Sequence, residues 1–167
     1  MPPEALFDVR SIDCSRVLVD QDGIRKVNPQ RFEMEHLTAI VHEDTAQHLI
    51  VGYKDVRSDE FWVRGHMPDH PLLPGVVICE AAAQLAGYYC RAHNLLGGAF
   101  IAFGGMDNVR FRGPVYPGDR LILVAKAVKV HRRQVLSQTQ GFVNGTMVYQ
   151  GDIIGVPFVP KGGHEEA

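Results

Sequence analysis

Across residues 76–90 every residue is apolar or glycine except Glu80 and Gln84. Fifteen such residues are too many for an ordinary strand, and the alanines at 81–83 favour helix. Pro74 and Gly75 open the run, and proline suits the first turn of a helix. A helix that is apolar all round has to be buried on all sides. The rest of the chain must therefore wrap around it, and the flanking sequence supplies strands. Residues 121–130 are a long β-type run. Residues 135–143 and 147–156 flank Asn144-Gly145, the strongest short hairpin signal. Ahead of the helix, residues 37–41 and 49–53 are strand candidates around a polar loop, and residues 54–72 form a long connection. The order predicts an α+β fold, a curled antiparallel sheet around one long central helix.

The 167 residues suit one domain. Residues 1–31 read as a loosely structured extension with one strand candidate at 16–20, residues 32–160 as the domain and 161–167 as a polar tail. Seventeen basic against nineteen acidic residues exclude a role that depends on coating nucleic acid. No apolar run approaches the ~18 residues of a membrane span. The start, Met1-Pro2-Pro3-Glu4, shows no secretory signal, so a cytoplasmic protein is expected. Three cysteines without a CxxC pair fit a reducing compartment. Cys79 and Cys90 share the expected helix, about 16 Å apart, and cannot bridge within a protomer.

Glu80 is the anomaly, because a charged carboxylate is costly in an apolar helix. It faces solvent, pairs with an arginine, or is a carboxyl of raised pKa fit for general-acid work. Gln84, four residues on, lies on the same helix face. His66 and His70 flank Asp69 and suggest a metal pair, but Pro68 and Pro71 forbid the helix that would put both rings on one face. No metal is expected. The backbone N–H groups of Gly75 and Val76 sit at the positive end of the helix and can hold a developing oxyanion. A base, an oxyanion site and an acid within so short a stretch point to acid–base chemistry on a carbonyl compound.

Residues 65–84 read GHMPDHPLLPGVVICEAAAQ. This resembles the signature GHFPGxPxxPGVxxxEAxAQ of the β-hydroxyacyl-acyl-carrier-protein dehydratases, the FabZ/FabA type, with the same spacing from His to Glu. Residues 103–119, FGGMDNVRFRGPVYPGD, are similar to a second segment of that family. The resemblance spans roughly residues 32–157. It implies a hotdog fold, assembled as a homodimer or a trimer of dimers, with the active site at the dimer interface. It further implies that His66 takes the C2 proton of a (3R)-3-hydroxyacyl thioester and that Glu80 protonates the leaving hydroxyl. Gly75 and Val76 would hold the thioester oxygen, and Gln84 would orient Glu80. The product would be a trans-2-enoyl thioester, made without metal or redox cofactor, and the partner would be acyl carrier protein with its phosphopantetheine-linked chain. Arg110 and Arg112 fall on the family's basic positions for that partner, and Arg132 and Arg133 form a second cluster. Asp69 replaces a glycine of the signature and would support His66. Residues 31–39 match the family's N-terminal segment poorly, and Ile101 or Ala102 stands where some members carry a gating tyrosine. Two other readings of the same fold are an acyl-thioesterase or coenzyme A-linked hydratase, and a non-catalytic subunit that binds acyl carrier protein.

Overall fold

A computed structural model describes residues 1–97 and 100–161 of the chain. The short helix α1 (Gln21–Arg25) precedes the strands β1 (Ala39–Asp44) and β2 (Leu49–Asp55). The long helix α2 (Gly75–Ala92) follows, and then β3 (Phe100–Phe111), β4 (Arg120–His131), β5 (Gln134–Val143) and β6 (Thr146–Phe158). The six strands form one sheet in the order β1-β2-β4-β5-β6-β3, with each neighbouring pair antiparallel. The hotdog architecture expected from the sequence is the one observed.

Helix α2 is 18 residues long, slightly longer at both ends than the apolar run. Ile78, Ala81, Ala82, Leu85 and Tyr89 are buried, and they pack against Ile50, Leu121, Leu123, Val148 and Tyr149 of the sheet. Burying such side chains stabilises the fold by roughly 1.5–3 kcal/mol each for the larger ones. The β5–β6 turn also follows from its sequence. Asn144 and Gly145 have φ of 49° and 76°, the positive values that a two-residue hairpin turn of this type requires.

Two regions differ from the expectation. Strand β3 is absent from the strands read in the sequence, although it is one of the longest observed. Its pairing with β6 shifts register between Phe103 and Gly105 and again between Asp107 and Arg110. Gly104, Gly105 and Asn108 break the alternation by which a strand is recognised. The extension is not loose either. Val19 makes only an isolated bridge to Ile40 where a strand was expected at residues 16–20. Ile24 of α1 joins the core beneath α2, and Val9 joins a second cluster on the sheet with Val51, Val124 and Phe142. These apolar residues stand singly among polar ones and so leave no periodic pattern. Of the expected polar tail, residues 162–167 lie outside the described residues. No helix among the described residues is long and apolar enough to cross a membrane.

The connection at residues 54–72 is fixed by a buried ion pair. Lys54 Nζ donates to Glu60 Oε2 at 2.8 Å, and Trp62 Nε1 donates to the same oxygen at 3.0 Å. Burial raises the Glu60 carboxyl, but the bonds from Lys54, the Arg57 backbone and Trp62 outweigh this and hold it below the usual range. The loop that carries His66 starts from this anchor, for His66 N donates to the Trp62 carbonyl at 2.8 Å.

Candidate active site

Glu80 stands half-buried on α2, and Gln84 Nε2 donates to its Oε1 at 2.8 Å. The Gln84 amide is fully committed. Its Nε2 also donates to the Met34 carbonyl at 2.7 Å, and its Oε1 accepts from His36 N at 3.0 Å. Asn28 Nδ2 adds a bond to the Gln84 backbone carbonyl at 3.1 Å. The acid is therefore tied, through Gln84, to a strap formed by residues 28–36. That strap is itself gripped by Arg25, whose Nε donates to Glu35 at 2.7 Å. The sequence reading identifies none of these strap partners. The turn signal Asn28-Pro29 marks the place but not the contact.

Beside Glu80 a cavity of about 140 Å³ opens between α2 and the strands β3, β5 and β6. Ala83, Ala86, Gly87, Ile101, Val135 and Ile153 make it largely apolar, and Asn28 and Gln30 line it from the strap. Cys90 also lines it, but burial pushes that thiol up to about 11, so it carries no thiolate at neutral pH. Burial likewise raises the Cys79 thiol. Both cysteines behave as the small apolar side chains expected of them.

His66 is half-buried in the loop before α2. Its Nδ1 lies 2.7 Å from the Leu72 carbonyl, which fixes Nδ1 as the donor in the neutral ring and leaves Nε2 as a base. The ring is therefore oriented by a backbone carbonyl. Asp69, expected to support it, is exposed at φ 67° and makes no side-chain hydrogen bond or ion pair among the described residues. Leu73 N donates to the Val115 carbonyl at 2.8 Å, which docks the end of the loop at the start of α2. There Gly75 and Val76 present first-turn N–H groups with no partner among the described residues. A Cβ on Gly75 would meet the Phe111 ring at 2.6 Å, so the ring can lie against the helix start only because residue 75 is glycine.

One chain thus joins His66 to the helix N-terminus and Glu80 to Gln84. It does not bring the two pairs into one cavity, because none of residues 65–76 lines the cavity beside Glu80. Arg110 is exposed, and Arg112 Nε donates across the strand pair to Gln150 Oε1 at 3.0 Å. Among the described residues no three His, Cys, Asp or Glu side chains converge as a metal-ligand set.

A family model described as a FabA-like domain matches residues 28–152. The chain belongs to the FabA-like family. This FabA-like chain is 34% identical over 139 residues to the 3-hydroxyacyl-[acyl-carrier-protein] dehydratase FabZ of Agrobacterium fabrum, spanning 83% of this chain and 89% of that protein. Against the FabZ of Streptococcus pneumoniae the identity is 34% over 138 residues, spanning 81% of this chain and 96% of that one. Among solved structures, the dehydratase heterocomplex ApeI:P of Xenorhabdus doucetiae aligns with a TM-score of 0.68 at 15% identity, covering 81% of this chain and 91% of that one. Cj0977, a sigma28-regulated virulence protein of Campylobacter jejuni, aligns with a TM-score of 0.63 at 19% identity, covering 86% and 95%. These two structures establish the fold alone. The FabA-like match begins at Asn28, so it takes in the strap that holds Gln84.

Proposed function

We infer that this FabA-like chain dehydrates (3R)-3-hydroxyacyl thioesters of acyl carrier protein to trans-2-enoyl thioesters, a step of type II fatty acid synthesis. The observation that carries this reading is the Glu80–Gln84 pair at the edge of a largely apolar cavity, in a chain matching FabZ over four fifths of its length. It is a hydro-lyase. His66 Nε2 takes the C2 proton, and the electron pair of that C–H bond becomes the C2–C3 double bond as the C3–O bond breaks. Negative charge that builds on the thioester oxygen is held by the N–H groups of Gly75 and Val76. Gln84 donates to Oε1 of Glu80, so Oε2 carries the proton that Glu80 gives to the departing hydroxyl, which leaves as water.

The pairing of acid and base comes from a second copy in this reading. Its support is that His66 and Glu80 of one chain do not share a cavity, while edge strand β3 exposes Phe103, Met106 and Phe111. Asp69 takes no part, since no hydrogen bond or ion pair ties it to His66 among the described residues. The exposed Arg110 and Arg112 are the candidate contacts for acyl carrier protein, an acidic partner that a chain of net charge −2 can attract only locally.

The test is hydration of a crotonyl thioester, on pantetheine and then on acyl carrier protein, followed by loss of the enoyl absorbance. Loss with the parent and none with His66→Ala supports the reading. Release of free thiol instead identifies a thioesterase, and no change on several chain lengths identifies a non-catalytic subunit.

A further inference from the structure

The cavity beside Glu80 follows one face of α2 as far as Arg91. Eleven residues separate the two, or about 16 Å along the helix axis. Between them the helix presents Ala83, Gly87 and Cys90, and the facing strands present Ile101 and Ile153. A Cβ built on Gly87 meets no atom within 4 Å, so the helix leaves open space there. A glycine inside a helix costs about 0.5–1 kcal/mol relative to alanine, and here no close neighbour requires it. The middle of the cavity accepts hydrocarbon.

Its far end has a different chemistry. Arg91 is the one basic side chain among the described residues that line the cavity, and Glu80 the one carboxyl. Arg91 is half-buried, and its guanidinium stacks over the Phe100 ring at 4.6 Å. Among the described residues it makes no side-chain hydrogen bond and no ion pair. Its place in the last turn of α2 suits a positive charge next to the helix C-terminus. That accounts for the charge but leaves the N–H donors unused. The contact with the Phe100 face uses none of the N–H donors, and a guanidinium grips a carboxylate through two parallel bonds.

We propose that Arg91 selects acyl chains whose far end carries a carboxylate. The substrate class is then a 3-hydroxyacyl thioester of a dicarboxylic acid, with its thioester near Glu80 and its free carboxylate on Arg91. With Glu80 protonated as the acid, Arg91 is the one charge among the lining residues, and it sets the direction in which such a chain enters. The proposal rests on the dehydratase reading above, so its test has one arm that needs no catalysis.

The first arm compares matched 3-hydroxyacyl-pantetheine thioesters over a series of lengths, one ending in methyl and the other in carboxylate. With the parent, kcat/KM for the carboxylate form is expected to exceed that for the methyl form by about tenfold or more at the best length. Arg91→Gln erases that ratio, and Arg91→Lys, which keeps the charge but not the fork, gives a ratio between the two. Thermal melts check that both variants are folded. A parent that prefers the methyl form, or a ratio untouched by Arg91→Gln, overturns the proposal. The second arm measures binding of the saturated acyl-pantetheine pair by calorimetry. Tighter binding of the carboxylate form, lost in Arg91→Gln, sustains the proposal even if no thioester is turned over, and in that case the dehydratase reading alone falls. Equal binding of the two forms by the parent overturns it.

Discussion

The strap at residues 28–36 and the loop at residues 65–73 flank the same helix and hold the proposed acid, Glu80, and the proposed base, His66, in opposite ways. The strap grips Glu80 indirectly, through a side chain. Gln84 spends both N–H bonds and its carbonyl on Glu80, Met34 and His36. The loop grips His66 through backbone alone. The His66 amide binds the Trp62 carbonyl, its carbonyl accepts from Leu72 N, and its ring meets the Leu72 carbonyl. A network of side chains can be broken at a single residue far from the reacting atoms. A backbone cradle has no such residue, since no side-chain substitution removes a carbonyl. The acid should therefore be sensitive to distant changes to which the base is indifferent.

The largest effects should fall on the two groups themselves. His66→Ala and Glu80→Gln are each expected to lower kcat by about 100-fold or more, the scale of a general acid or base, while leaving the fold intact. A folded variant of either kind with near-parental turnover would remove that residue from the mechanism. Gln84→Ala comes next and tests the comparison directly. It leaves Met34 O and His36 N without their partners, at a cost of roughly 1–3 kcal/mol of stability. It also frees the Glu80 carboxyl to rotate, which should lower kcat by about tenfold, within the range that misplaced catalytic groups show. Urea midpoints and initial rates on the same samples separate the two losses. A variant that loses stability but keeps kcat would mean that Gln84 holds the strap and not the acid.

How far the sequence reaches depends on how local each feature is. The central helix, the Asn144-Gly145 hairpin and the run from His66 to Gln84 are written in consecutive residues, so periodicity and spacing reveal them. The Glu80–Gln84 bond follows from helix geometry in the same way. Strand β3 is held by β6, from 38 residues away at Phe111–Tyr149 to 58 at Phe100–Phe158, through a register broken by Gly105 and Asn108, and no pattern in its own residues announces it. The strap is hidden for a related reason. Its bonds to the Gln84 side chain run from the backbone at Met34 and His36, and a backbone contact leaves no trace in residue type. Arg91 reads in the sequence only as the polar end of an apolar helix, because what it faces is set by strands that follow it.

Acid should loosen the strap. His36 is buried, with both ring nitrogens unpartnered, and it faces Lys54 and Glu60. Burial, reinforced by Lys54, pushes its pKa down from 6.5 to about 4. The unfolded chain therefore takes up this proton first as pH falls. Above pH 6.5 no stability is lost on this account; the loss grows between pH 6.5 and 4 and is complete below. The full loss is about 3 kcal/mol, because a tenfold change in proton affinity between the unfolded and folded chain is worth about 1.36 kcal/mol. Glu60, held below its usual range, adds its own loss at lower pH. His36→Leu should flatten the urea midpoint between pH 6.5 and 4 without weakening the protein at pH 7, since it removes two unpaired buried atoms. A slope unchanged in that variant would place the acid sensitivity in some group other than the strap.

The smallest effect is expected at the tip of the loop. Asp69 is exposed, in the left-handed region at φ 67°, and no bond ties it to the ring of His66. Asp69→Gly relieves that backbone strain but frees the unfolded chain, and the two changes oppose each other. The net change in stability should stay within about 0.5 kcal/mol, as for surface positions generally. If the Leu72 carbonyl alone orients the base, the pH profile of kcat/KM should also keep its shape, because no fixed charge next to the ring has been lost. A low-pH limb displaced by half a unit or more would show that Asp69 reaches His66 electrostatically during turnover. The loop would then depend on a side chain as the strap does, and the contrast between them would be one of degree.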